Sequence, residues 1–200
     1  MAYIPPKYKP VIPQGVGSNE IEKLPVLIVG AGPVGLALAL DLGLRGHRVV
    51  ILNQQTQLTD GSRAICFAKR PLEIMDRLGF GDRMVSKGVV WNIGKVFFQD
   101  NPDPVYSFDL LPEKDQKMPG MINLQQYYNE EYTIEALEAL DNVELRWGNT
   151  LTAIQDTKKG VIVDVSTEKG DYKILADWLV ACDGSRSPTR HILKMGFEGE

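Results

Sequence analysis

Residues 30–35 read Gly-Ala-Gly-Pro-Val-Gly, a glycine spacing whose chemistry is the holding of a phosphate-bearing ligand by backbone amides. Gly30 permits a tight turn out of a strand, Gly32 lets a pyrophosphate approach the backbone, and Gly35 lets the next helix pack close. Pro33 suits the first helical turn, where a missing N–H costs nothing, and Val34 continues it. The free amides and the positive helix end then face the phosphates. The next strand ends where such sites carry Asp or Glu for a ribose, or an Arg nearby for a 2′-phosphate. Here that residue is Asn53, followed by Gln54 and Gln55, with no basic residue before Arg63. A 2′-phosphate is disfavoured on this turn. An amide oxygen still accepts a ribose hydroxyl, at a loss on the order of 1 kcal/mol for want of charge assistance.

These residues need a strand, a helix and a second strand to position them. "VLIV", opening at Pro25, predicts a strand buried on both faces. Residues 33–45 predict a helix, apolar nearly all round and hence enclosed, and "HRVVIL" a second strand, so that 25–52 reads as β-α-β. "KRPLEIMDRLGF" predicts a helix closed by Gly79. Residues 89–111 turn strand-like in "KVFFQD" and "VYSFDL", and a long helix follows from about Gln125 to Leu140. "VELRW", "TLTAIQD", "GVIVDVS" and "DYKILA" predict a meander, with Val161, Val163 and Val165 on one face and Tyr172, Ile174 and Ala176 on another. "DWLVACDG" predicts a further strand, and "SPTRHILKM" opens a helix. The proline-rich residues 1–23 predict an extended arm, on the surface or engaging a partner.

At 44% apolar and 24% charged the composition is that of a globular chain, and a net charge of −4 offers no footprint for nucleic acid. Cys66 and Cys182 lack metal-ligand spacing, and His47 and His191 are the only histidines, so a metal cluster or a histidine-based triad is poorly supported. Both cysteines are expected as small buried hydrophobes in a reducing cytoplasm. Neither a signal peptide nor a membrane-spanning segment is evident.

Three further segments, "GSRAICFAKRPLEIMDRLG", "INLQQYY" and "LVACDGSRSPTRHIL", closely resemble the FAD-dependent aromatic hydroxylases. That is the flavoprotein monooxygenase group of para-hydroxybenzoate hydroxylase, with the nearer likeness to 3-(3-hydroxyphenyl)propionate hydroxylases, over about Pro25 to Met195. The resemblance implies an α/β fold: a Rossmann-like FAD-binding β-α-β with an inserted β-meander and part of a substrate-domain sheet, truncated. Its divisions are expected as an arm (1–23), the FAD-binding β-α-β and following helices (24–88), partial substrate-domain strands (89–121) and a return to the FAD-binding domain (122–200).

By the same resemblance Gly30, Gly32 and Gly35 hold the FAD pyrophosphate, Arg63 crosses onto the phosphates, and Gln125 reaches the flavin side. Asp183 and Gly184 contact FAD, while Arg186 and Arg190 brace that turn or meet NAD(P)H. The implied reaction hydroxylates a phenolic ring using FAD, NADH or NADPH, and O2, with a small aromatic substrate and no catalytic acid–base pair identified. A homodimer is compatible with it. Phe97, Phe98, Tyr106 and Phe108 could line the substrate pocket, though a core role is the plainer reading. The family's later Gly-Asp motif is absent, so the 200 residues are expected to bind FAD weakly or not at all and to lack turnover. Rival readings are an FAD oxidoreductase of another reaction type (an epoxidase or a reductase), a non-catalytic nucleotide-binding module and, a poor fourth, an NAD-only dehydrogenase.

Overall fold

Runs of Val, Ile and Leu flank the glycine turn, and they become parallel strands because a strand enclosed on both faces tolerates few polar residues. The structure, a computed structural model, describes residues 3–58 and 64–199. In chain order its elements are β1 (Ile21–Val29), α1 (Pro33–Leu44), β2 (Val49–Asn53), β3 (Cys66–Ala68), α2 (Lys69–Arg77), α3 (Gly81–Lys87), β4 (Val89–Val90) and β5 (Ile93–Val96). There follow β6 (Tyr106–Asp109), β7 (Met121–Asn123), α4 (Gln126–Glu138), β8 (Val143–Trp147), β9 (Thr150–Thr157), β10 (Gly160–Thr167), β11 (Gly170–Ala181) and α5 (Pro188–Ile192). They fall into two compact units, Met1–Asp60 with Glu130–Glu200, and Gly61–Asn129.

The first unit is built on a six-stranded sheet in the order β8-β2-β1-β11-β10-β9. β8, β2, β1 and β11 run parallel, and β11, β10 and β9 are antiparallel. Val50 and Leu52 share a core with Leu27, Val163, Val165 and Ile174, so the meander covers one face of the parallel strands. Val49 and Ile51 alternate to the other face, where α1 packs with Leu36, Ala39 and Leu40 buried. Leu27, Leu36, Leu40 and Ile51 are each fully buried, a contribution of about 1.5–3 kcal/mol apiece.

Two sequence expectations change in this unit. β1 begins at Ile21, ahead of Pro25, because β11 already pairs there, Ile21 opposite Lys173. Pro25 is tolerated since the second neighbour joins only at Val26 opposite Val49, and no N–H is owed before that point. "DYKILA" and "DWLVACDG" form one strand, β11, rather than two. α1 has no exposed residue from 35 to 43, and only its ends, Val34 and Leu44, face outward. The arm takes the surface alternative, docked on its own unit: Tyr8 N–H donates to the Thr56 carbonyl at 2.7 Å and Val11 N–H to that of Trp147 at 2.9 Å.

Arg146 on β8 is 3% exposed and fully engaged. It donates to both Glu22 oxygens at 2.7 and 2.8 Å, to both Glu144 oxygens at 2.9 Å, and to the Tyr172 hydroxyl at 3.3 Å. Burial opposes its charge, but these bonds outweigh burial and push the guanidinium above its ordinary pKa. Tyr172 in turn donates to Asn149 Oδ1 at 2.8 Å.

The second unit holds a three-stranded sheet, β3-β7-β4, and the pair β5-β6. α2 buries Leu72 and Met75 and closes at Gly79, whose φ of 100° favours glycine. α3 was not predicted. "KVFFQD" stays a strand only as far as Val96, and Phe97, Phe98 and Tyr106 are exposed, against the core reading. Only Phe108 is sheltered, its ring lying over Gly94. The cysteines also depart from expectation: Cys66 is exposed and Cys182 half-buried, and both are free thiols. Among the described residues no helix is long and apolar enough to cross a membrane.

Candidate functional site

The carboxyl ends of β1, β2 and β11 lie side by side, Val29 level with Leu52 and with Ala181. Each strand runs directly into a residue singled out from the sequence: Gly30, Asn53 and, after Cys182, Asp183. Together with Asn149, Thr150, Leu151 and Pro188 these three line a cleft of about 90 Å³. That is below the roughly 300–1,000 Å³ of small-ligand pockets, so the cleft seats one part of a dinucleotide rather than the whole. It opens where ligands dock on open α/β sheets. A larger cavity of about 480 Å³ lies beside Glu22, Glu144 and Arg146, whose charges already satisfy one another.

The glycine turn has the shape its sequence requires. Gly30 has φ 103°, and a Cβ there would lie 2.5 Å from the Cys182 carbonyl oxygen. A Cβ on Gly35 would lie 2.0 Å from the Gly30 oxygen. At Gly32 a Cβ would meet nothing within 4 Å, so the residue faces open space. Gly32 caps α1, Pro33 fills the first position, and the first turn carries no acidic residue. The positive helix end and its unpaired first amides are therefore available to an anion.

Asn53 is tied into this turn. Its Oδ1 accepts the Ala31 N–H at 3.3 Å, and its Nδ2 donates to the Gln55 carbonyl at 3.1 Å. The neutral residue thus braces the loop that a carboxylate would leave without the second bond. Asp183 accepts the Thr189 N–H at 2.9 Å, and Ser187 Oγ caps the same helix by accepting the Arg190 N–H at 3.0 Å. Burial would raise the Asp183 pKa, but hydrogen bonds from Ser187 and Thr189 hold it below the ordinary value. Burial, with Asp183 adjoining, pushes the Cys182 thiol up, which keeps it protonated and unreactive.

The remaining sequence candidates are placed differently. Val34 is exposed in the first turn of α1, and Gly184 adopts φ 81° just past Asp183. Arg186 is exposed and does not line the cleft. Arg190 donates to the Ser185 carbonyl at 3.0 Å and stacks over Phe197. Gln125 belongs to the second unit, just ahead of α4, where its carbonyl accepts the Tyr128 N–H. Arg63 lies outside the described residues. The sequence reading missed Asn149, which reaches the cleft only because β8 pairs with β2 about 95 residues away in the chain. Its one local signal is a Gly-Asn pair after a strand, an ordinary turn former.

Residues 23–200 match the FAD binding domain family. The chain belongs to that family. Among relatives of this FAD-binding domain is the 3-(3-hydroxy-phenyl)propionate/3-hydroxycinnamic acid hydroxylase of Mycolicibacterium smegmatis, 32% identical over 190 residues, covering 90% of this chain and 32% of the relative. A para-nitrophenol 4-monooxygenase of a Pseudomonas species is 29% identical, covering 87% and 43%. The crystal structure of p-nitrophenol 4-monooxygenase PnpA from Pseudomonas putida superposes with a TM-score of 0.83 at 30% identity, covering 90% of this chain and 46% of that one. The FAD-binding domain here therefore spans less than half the length of these relatives.

The residues present fit FAD. Open space before Gly32 and an unopposed helix end suit a pyrophosphate, and the carboxylate of Asp183 at the neighbouring strand end can accept from a hydroxyl of the same cofactor.

Proposed function

We propose that this chain is the FAD-binding part of a flavin-dependent monooxygenase that hydroxylates a phenolic ring with NADH or NADPH and O2. The observation that carries the reading is the convergence of Gly30, Asn53 and Asp183 on one cleft at the carboxyl ends of parallel strands. On this reading the turn of Gly30, Gly32, Pro33, Val34 and Gly35 receives the pyrophosphate: Gly32, Val34 and Gly35 offer backbone amides, Gly30, whose own N–H is given to the Leu52 carbonyl, makes the turn, and Pro33 starts the helix. Asn53 holds the turn and offers its remaining amide hydrogen to the ribose. Asp183 and Gly184 close the opposite side, Arg63 adds charge for the phosphates, and Gln125 serves the flavin end. Arg190 braces the Asp183 turn, which its bond to Ser185 supports, and exposed Arg186 is left to meet the pyridine nucleotide.

Bound FAD supplies the redox chemistry, while the protein binds it, orients it and keeps water out. Turnover belongs to the whole enzyme, whose relatives are two to three times as long as this chain. Titration of FAD with the chain, followed by flavin fluorescence, tests the reading: saturable quenching is expected, and none at millimolar protein overturns it. Oxygen incorporation into a phenol by the whole enzyme separates a hydroxylase from an epoxidase or a reductase.

A further inference from the structure

The family match begins at residue 23, and the arm lies ahead of it. It is docked behind the cleft wall. Lys7 forms an antiparallel bridge with Gln57, and Tyr8 N–H donates to the Thr56 carbonyl, so the arm runs along the segment that follows Asn53. The Tyr8 ring stacks on Trp147 with centroids 4.2 Å apart and planes 5° from parallel. Trp147 is 5% exposed beneath it. Val11 closes the contact twice: its N–H donates to the Trp147 carbonyl at 2.9 Å, and its carbonyl accepts Asn149 Nδ2 at 2.8 Å.

From Asn149 the connections continue to the cofactor turn. Asn149 N–H donates to the Asn53 carbonyl at 3.0 Å, and Asn53 Oδ1 accepts the Ala31 N–H between the first two glycines. Three of these groups, Asn53, Asn149 and the adjoining Thr150, line the cleft. The arm itself does not line it, so it acts on the ligand only through them. Pro10 packs on the turn from outside, 3.1 Å from where a Gly148 Cβ would stand, and holds Asn149 in register.

We propose that residues 7–11 are a strap that positions the 147–151 wall and Asn53, and so sets how tightly the adenosine end of FAD is held. Tyr8 and Asn149 are its positioning residues. This rests on the FAD reading above and deepens it. An undocked strap leaves the wall free to leave its binding geometry, and apparent affinity falls by the fraction of chains that remain competent. Loss of one aromatic stack corresponds to roughly threefold to tenfold in that fraction.

The test uses the full 200-residue chain and FAD, titrated by fluorescence quenching well below the unfolding midpoint, alongside amide hydrogen exchange of the unliganded protein. Tyr8→Ala is expected to weaken FAD about threefold to tenfold and to speed exchange at Ala31 and Asn149. Tyr8→Phe, which keeps the stack, restores both. Should Tyr8→Ala fail to fold, Val11→Pro, which removes the N–H given to Trp147, shifts both readouts the same way. Wild-type chain that binds FAD with the same affinity as a folded Tyr8→Ala or Val11→Pro variant overturns the strap alone. Wild-type chain that does not bind FAD overturns the cofactor reading and the strap with it.

Discussion

Replacing Gly32 and Gly35 separately with alanine divides cofactor binding from folding. At Gly35 the new methyl would stand 2.0 Å from the Gly30 carbonyl oxygen and 3.2 Å from Cys182 Cβ, whereas ordinary contact begins at 3.4 Å. Turn or helix must yield by more than an ångström against backbone, which puts the cost near the upper end of overpacking, about 3 kcal/mol. For a chain of this length that lowers the melting temperature by roughly 6–12 °C. Gly32 has φ −83° and open space around its missing Cβ. Alanine there loses under about 1 kcal/mol as a helix cap and regains about 0.4–1 kcal/mol by restricting the unfolded chain. Its melting temperature should stay within roughly 2 °C of wild type. The same methyl occupies the space left for a pyrophosphate, and FAD should bind at least about tenfold more weakly. Differential scanning fluorimetry and flavin quenching on the two variants give both numbers. A Gly32→Ala chain that binds FAD like wild type would show that the pyrophosphate does not rest on this turn.

Other substitutions probe the same frame. Asn53→Glu supplies a ribose acceptor in exchange for the bond to Gln55, and FAD should tighten by up to about tenfold; weaker binding would mean that the ribose lies elsewhere. Tyr172→Phe strands the buried Asn149 oxygen and should cost about 1–3 kcal/mol in urea unfolding, with no change counting against the Arg146–Tyr172–Asn149 network. The depressed Asp183 pKa means that its ionised form stabilises the fold fully above its ordinary value of 3.8. That share is lost as pH falls from there through the lower folded-state value. Asp183→Asn should flatten the acid limb of a stability–pH curve, and an unchanged slope would refute the assignment.

The nucleotide-binding β-α-β was legible because its signals are local: a strand, three spaced glycines and a helix within 25 residues of sequence. The buried faces of the meander were legible for the same reason, through simple alternation at Val163, Val165 and Ile174. What stayed hidden depends on distant partners. Asp177 and the exposed Trp178 break the apolar run of β11, so it reads as two strands, yet pairing with β1 carries it through. The arm has no periodicity, so nothing in it announces Tyr8 stacking on Trp147 across nearly 140 positions. Asn53 read as a weakened ribose contact, and its bond to the Ala31 N–H became visible only once β1 and β2 lay side by side.

The pairing of β1 with β11 also bears on how the chain is made. Ile21 meets Lys173 roughly 150 residues later, while the second unit closes entirely within Gly61–Asn129. At about 5–20 residues per second, a ribosome completes the middle of the protein roughly 2–9 seconds before β1 begins to receive its partner. At the start of that interval β1 and β2 are an apolar parallel pair open at both edges, and the β1 edge stays open until β11 is made, the kind of surface that recruits other chains. A holding chaperone would find its main client segment there, at the strand that later delivers the glycine turn.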